Sequence, residues 1–257
     1  MNDERDHLVH RSSFLVPRSD EAYDAFAYAY DQALGERFFR AARRLLTRVL
    51  ERHRVSNRTH LDLACGSALA IPFFEQHGFA STGVDVSVPM LEIARRRASR
   101  LVAGDVRALP LRGTFGLITS LYDSLNHLDD LPAVFREVGE CMDAQSLFVF
   151  DMNDPDIYPA IWGMAEPFVA DGPDFHLEIA TKFDSGSMIG DALVRGWATF
   201  GDRRVEIEER HRQRAHTREE IEAALASASL DPIEVLDFDP FGESRRVKLF
   251  FICRAVS

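Results

Sequence analysis

Residues 59–94 read THLDLACGSALAIPFFEQHGFASTGVDVSVPMLEIA. The run His60 to Ala64 is apolar enough for a buried strand and carries Asp62 near its end. Ala64, Gly66 and Ser67 then let backbone N–H groups approach a ligand where the next helix begins. Pro72 fits the first turn of that helix, where its missing N–H costs little. A second apolar run ends on Asp85, 19 positions after Gly66, where the second strand of a βαβ unit presents a carboxylate to ribose hydroxyls. The stretch therefore predicts a βαβ unit holding a nucleoside-like ligand. The glycines of GxGxxG are missing, which disfavours close pyrophosphate approach and so a dinucleotide oxidoreductase.

Working outward, strands are expected near 100–104, 115–121 and 145–152, alternating with helices near 88–98 and 131–141. Such alternation predicts a parallel sheet covered by helices on both faces. Upstream, SDEAYDAFAYAYDQALGERFFRAARRLLTRVLERH predicts two helices with a break near Gly35. After Asp154 the period changes to two, and HLEIATKF, DALVRGWATF and RRVEIEERHRQRAH predict a three-stranded antiparallel sheet. In the last of these Val205, Ile207, Glu209, His211 and Gln213 share one face, opposite a charged face. Thr217 and Glu220 predict a capping box for a helix to about Ser227, and PIEVLDFDP with RRVKLFFICRA predicts a closing strand pair. The expected organisation is an arm (1–19), a nucleoside-binding core with an N-terminal helical lid (20–154), an antiparallel insertion (155–216), and the last helix with the closing strands (217–257).

The 257 residues suit one domain. With 30 Lys and Arg against 41 Asp and Glu, the formal charge of −11 leaves no cationic excess to displace phosphate counterions, so a nucleic-acid partner is not expected. Three cysteines without zinc spacing read as thiols of a reducing compartment. No signal-like leader and no apolar run near the ~20 residues of a membrane span is seen, so a cytoplasmic protein without a membrane partner is expected.

The motifs LDLACGSA, GVDVSVPML, AGDVRALPL, TFGLITSLYDSLNHL and SLFVFDMND, in this order and spacing, resemble the strand-end motifs of class I S-adenosylmethionine (SAM)-dependent methyltransferases. The resemblance covers roughly residues 20–155 and is closest to small-molecule N-methyltransferases, such as glycine N-methyltransferase and antibiotic-sugar N,N-dimethyltransferases. It implies an α/β, Rossmann-like, doubly wound seven-stranded sheet with the antiparallel insertion after the fifth strand. Ala64 and Ala68 stand where the family carries glycine, and LYDS replaces the DPPY-type element of base-modifying relatives.

What the resemblance implies for the site can be set beside plainer readings. Asp62, Ala64, Cys65 and Gly66 would meet the aminoacyl part of SAM, the alternative being an ordinary strand-to-helix turn. Asp85, with Val86 beside it, would accept from the ribose hydroxyls, a contact worth roughly 1.5–3 kcal/mol. Met90 would pack on the adenine, while Asp105 and the Val106 N–H would meet its polar edge. Leu121 would close the cofactor side, and Tyr122 would face the acceptor. Among Tyr23, Tyr28 and Tyr30, which all suit plain amphipathic packing, Tyr30 is the expected lid residue at the methyl group. His127 is the expected proton acceptor, against a capping or core role. Asn153, Glu209 and His211 are expected near the acceptor, with His211 an alternative base. Asp151, Asn153 and Asp154 suggest a divalent metal only weakly, and none is expected.

The expected reaction is direct methyl transfer from SAM to a small-molecule acceptor, favouring an amine nitrogen. A small-molecule hydroxyl, or SAM binding without turnover, is the alternative, and the insertion is expected to cover the active site or make a homodimer contact.

Overall fold

The computed structural model describes Tyr23, residues 25–240, Gly242 and residues 246–256. The expected arm lies outside the described residues. In chain order, α1 (Ala27–Tyr30), a π-helical turn (Asp31–Gly35) and α2 (Glu36–Arg52) form one helical run. The expected break at Gly35 is absent, since its backbone is helical (φ −60°, ψ −47°). Glycine is needed there for a close approach instead. A Cβ at Gly35 would lie 2.7 Å from Leu69 Cδ1 and 3.1 Å from Tyr30 Cε1, and the wider π turn absorbs the mismatch without ending the helix.

The βαβ unit follows as β1 (Thr59–Leu63), α3 (Ile71–Gln76) and β2 (Ala80–Asp85). Next come α4 (Val88–Ala94), β3 (Leu101–Ala103), β4 (Leu117–Ser120), α5 (Leu131–Glu140), β5 (Leu147–Asn153) and α6 (Tyr158–Ile161). The insertion contains β6 (Phe168–Gly172), β7 (Phe175–Asp184), β8 (Ile189–Phe200) and β9 (Arg203–Arg214), before α7 (Arg218–Ser227), β10 (Leu230–Phe238) and β11 (Lys248–Ala255). The capping box of α7 forms as expected, with Thr217 and Glu220 exchanging side-chain and backbone bonds.

Seven strands form one sheet in the order β10-β11-β5-β4-β1-β2-β3. β1 to β5 pair in parallel, and β11 runs antiparallel to both β5 and β10. Burial drives the layering. Leu61, Leu63, Ile118, Phe148 and Phe150 meet α5 and α7 on one face, while Leu117, Leu147, Val149, Phe250 and Ile252 meet α2 and α3 on the other. The strand order reverses between β1 and β4, which opens a crevice at their carboxyl ends.

The insertion is four-stranded, not three-stranded, in the order β6-β7-β8-β9. The added edge strand, FVADG, is half exposed and followed by a turn, so no alternation marks it. Along β9 the two-residue alternation holds: Ile207, Glu209, His211 and Gln213 are buried while Glu206, Glu208, Arg210 and Arg212 are exposed. Its apolar face packs Phe175, Leu177, Val194 and Ile207 against Phe26 and Ala29 of the helical lid. No helix among the described residues is long and apolar enough to cross a membrane, and the three cysteines are free thiols.

Candidate active site

The loop after β1 is built on left-handed backbone. Ala64 (φ 50°), Gly66 (φ 52°) and Ala68 (φ 60°) alternate with residues of ordinary φ. For the two alanines this conformation costs roughly 1–2 kcal/mol each, a strain typical of a ligand loop. The curl brings the Gly66 N–H to Asp85 Oδ2 at 2.7 Å, while Ser87 N–H bonds the other oxygen at 2.8 Å. Asp85 is buried, and burial raises its carboxyl above the ordinary range despite the backbone N–H groups of Ser87 and Gly66. On the neighbouring strand Asp62 is 3% exposed, and its Oδ1 accepts from Thr119 Oγ1 at 2.6 Å. Burial pushes its carboxyl up to about 7, with Asp85 adding to the rise and Thr119 opposing it. Two buried carboxylates, with no cationic side chain bonded to either among the described residues, suit a ligand that brings its own ammonium and hydroxyls.

Met90, held by the Ser87-capped first turn of α4, is buried with Ala27 and Ile93 beneath Tyr23, Tyr28 and Tyr30. Cys65 is packed in the same loop with its thiol pushed well above the usual range by burial. Val86 is exposed, whereas Val106 and Leu121 are core residues. Asp105 is paired bidentately with Arg107, Nε to Oδ1 at 3.0 Å and Nη2 to Oδ2 at 2.6 Å. Those bonds hold its carboxyl below the ordinary range, and a ligand's amino group would have to compete with the guanidinium.

The carboxyl end of β4 is held by a buried ionic network. Tyr122 (φ 69°) and Asp123 (φ 51°) are consecutive left-handed residues, and the Asp151 carboxylate accepts both of their N–H groups at 2.6 and 3.0 Å. Lys248, 4% exposed, joins Asp123, Asp151 (3.1 Å) and Asn153 Oδ1 (2.8 Å). Burial opposes its charge, but the two carboxylates outweigh it and hold the ammonium above its ordinary range. Asn153 Nδ2 donates to Gln213 Oε1 at 3.0 Å, and Gln213 Nε2 donates to Asp123 at 2.6 Å and to His127 Nε2 at 3.1 Å. An amide nitrogen only donates, so His127 Nε2 is an acceptor and the ring is neutral. Its pKa is lowered to about 4, chiefly by burial.

The tyrosine that meets His127 is Tyr23. Its hydroxyl lies 3.2 Å from His127 Nε2, and its ring stands 5.7 Å from His127 and 4.6 Å from His211, centroid to centroid. Tyr30, the expected lid residue, packs edge-on against Tyr23 at 5.5 Å and against Phe26 at 5.6 Å. Glu209 fixes the lid: its carboxylate accepts the N–H groups of Tyr23, Ala25 and Phe26 at 2.8, 2.6 and 2.8 Å. Burial opposes ionisation of Glu209, yet His211 and these N–H groups hold its carboxyl below the usual range. Ser87 Oγ ties the same segment to the cofactor side by donating to the Tyr23 carbonyl at 3.0 Å.

Asp62, Gly66, Asp85 and Met90 are thus gathered on one side, and His127, Glu209 and His211 on the other, with Tyr23 between them. Tyr122 sits on the α2 side, its ring 4.5 Å from that of Phe38. Asn153 is locked in the network. Asp151 and Asp154 serve Lys248 and Arg246, and no metal-holding group of His, Cys, Asp and Glu occurs among the described residues. Lys248, Asp123 and Gln213 were not expected as site residues. The one signal for Lys248 is a lone cation opening the apolar strand KLFFIC.

Residues 61–144 match the family described as "Methyltransferase domain". The chain is a class I SAM-dependent methyltransferase. The methyltransferase is 28% identical over 253 residues to the dTDP-3-amino-3,6-dideoxy-α-D-glucopyranose N,N-dimethyltransferase of Streptomyces fradiae, covering 93% of this chain and 94% of that one. In fold it is similar to a SAM-dependent methyltransferase of Clostridium acetobutylicum (TM-score 0.74, 21% identity, 90% of this chain and 98% of that chain). It is also similar to a SAM-bound amino pentose methyltransferase of Micromonospora echinaspora (TM-score 0.67, 21% identity, 88% and 97%). The residues around Asp85 fit the cofactor: a buried carboxylate with two oxygens, each carrying one N–H, keeps acceptor capacity for a pair of ribose hydroxyls.

Proposed function

We propose that the methyltransferase transfers the methyl group of SAM to the nitrogen of a small-molecule amine, of the amino-sugar class. The observation that carries this reading is the neutral His127, whose Nε2 is a hydrogen-bond acceptor beside the cofactor strand ends. Such a group suits an N–H donor on the acceptor. The near full-length similarity to an amino-sugar N,N-dimethyltransferase supports the substrate class.

When bound, SAM supplies an electrophilic methyl group on a sulfonium. In this reading Asp62, Ala64, Cys65 and Gly66 hold its aminoacyl end, Asp85 and Val86 its ribose, and Met90, Asp105 and Val106 its adenine side, with Leu121 at the strand end near the methyl group. Direct transfer needs alignment and exclusion of water more than covalent help. Tyr23, Phe26 and Tyr30 provide the cover, latched by Glu209 and Ser87. His127 orients the acceptor in place of the Tyr23 hydroxyl, while the Lys248–Asp123–Asp151 network fixes the turn that presents it.

The test is S-adenosylhomocysteine release from SAM with dTDP-3-amino-3,6-dideoxy-α-D-glucopyranose and with its 3-hydroxy counterpart. Release with the amine alone is expected. Release with the hydroxyl compound alone would overturn the N-methylation reading.

A further inference from the structure

We infer that His211, on the insertion sheet, is the group that removes the proton from the acceptor's ammonium before methyl transfer. This rests on the N-methylation reading. The imidazole is 5% exposed, and among the described residues neither ring nitrogen makes an aligned hydrogen bond. Its Nε2 stands 3.2 Å from Glu209 Oε2 but without hydrogen-bond alignment. A buried ring without an aligned hydrogen bond at either nitrogen forfeits bonds that water would supply, a cost that a ligand's donor reduces.

His127 is less suited to this task. Its Nε2 already accepts from Tyr23 and Gln213, and a further bond ties the ring to the Arg212 backbone. The Tyr23 ring packs against both imidazoles, which stand 6.3 Å from each other by centroid. A bound acceptor taking the place of that phenol would touch both rings.

The charged and titratable groups around His211 favour this step. Glu209 lies beside it on its own strand, Tyr23 faces it from the lid, and His127 faces it from the turn after β4. Asp85, Asp123 and Lys248 act on Tyr23 or His127 from behind. At neutral pH most amines arrive as ammonium ions, without the lone pair that the reaction needs. The ammonium N–H bond breaks with its electron pair staying on nitrogen, and the proton bonds to a His211 ring nitrogen. The resulting imidazolium stands against the Glu209 carboxylate, so the positive charge leaves the acceptor yet stays paired. The amine lone pair then forms the N–C bond as the S–C bond breaks, the sulfur keeping that electron pair. His211 returns its proton to water when product leaves.

The experiment is the pH profile of kcat/KM, from pH 6 to 10, for wild type and His211→Asn. The probe is dTDP-3-amino-3,6-dideoxy-α-D-glucopyranose with methyl-labelled SAM. The expected loss at pH 7 is about 10²-fold, shrinking steadily as pH approaches the amine's own pKa, with S-adenosylhomocysteine affinity within twofold of wild type. A loss equal at every pH, or below threefold at pH 7, overturns the inference. Should the variant not fold, ¹⁵N NMR of the wild-type imidazoles decides. Adding the amine to the S-adenosylhomocysteine complex at pH 7 should shift the His211 ring nitrogens toward the imidazolium position, and unchanged shifts overturn the assignment. Absence of amine turnover by wild type overturns the N-methylation reading, and this inference with it, before any variant is compared.

Discussion

Replacing Asp85 by alanine should cost both cofactor affinity and loop order, in amounts that the geometry sets apart. The carboxylate carries one backbone N–H on each oxygen, from Gly66 at 2.7 Å and Ser87 at 2.8 Å. About four lone-pair sites are available on two oxygens, so roughly two remain for the ribose. Losing an ionic acceptor of hydroxyls costs about 1.5–3 kcal/mol, which is roughly a tenfold to 150-fold rise in Kd for S-adenosylhomocysteine. The two N–H groups must also find water. The Ser87 bond is buried and the Gly66 bond part-buried, so global stability should fall by about 1–3 kcal/mol. Calorimetric titration reads the first quantity and thermal melting the second. An unchanged Kd in a folded variant would refute the placement of the ribose at Asp85. A Kd loss matched by gross unfolding would refute the separation of the two effects.

Further outcomes follow from the same geometry. The Asp62 carboxyl, raised to about 7 in the fold, binds more protons folded than unfolded between about pH 4 and 7, so ligand-free stability should fall as pH rises through that window. Asp62→Asn should flatten that slope in urea titrations at pH 5 and 8, and an unaltered slope would assign it elsewhere. Ala64→Gly relieves a left-handed alanine at φ 50°, and after the glycine entropy cost the melting temperature should rise by a few degrees at most; a fall would show that the methyl group's packing matters more. Glu209→Ala removes the acceptor of three lid N–H groups. Amide hydrogen exchange over residues 25–35 should then quicken at least tenfold while β1 to β5 stay protected, and unchanged exchange would mean that apolar packing alone holds the lid.

The parts legible in the sequence are those encoded locally. The small-residue turn and Asp85 belong to one βαβ unit, and the alternation of β9 told which side chains face inward before any partner was known. The acceptor side is different. Lys248 reaches Asp123 across 125 positions, and Gln213 reaches His127 across 86; a buried ion pair leaves no periodic trace, so these groups read as isolated polar residues. Tyr23 and Tyr30 are seven apart, two helical turns, and spacing cannot separate them. Tyr23 lies before the helix at φ 65°, and it is the one that meets His127. Gly35 reads as a helix breaker in isolation because its reason, contact with Leu69, comes from another element.

The central claim is methyl transfer from SAM to an amine nitrogen at this site. The most direct measurement is incubation with methyl-¹³C SAM and dTDP-3-amino-3,6-dideoxy-α-D-glucopyranose, followed by NMR of the product carbon. Labelled carbon is expected at an N-methyl shift, with one S-adenosylhomocysteine formed per methyl transferred. Label appearing at an O-methyl shift, or SAM left intact with the amine present, would contradict it.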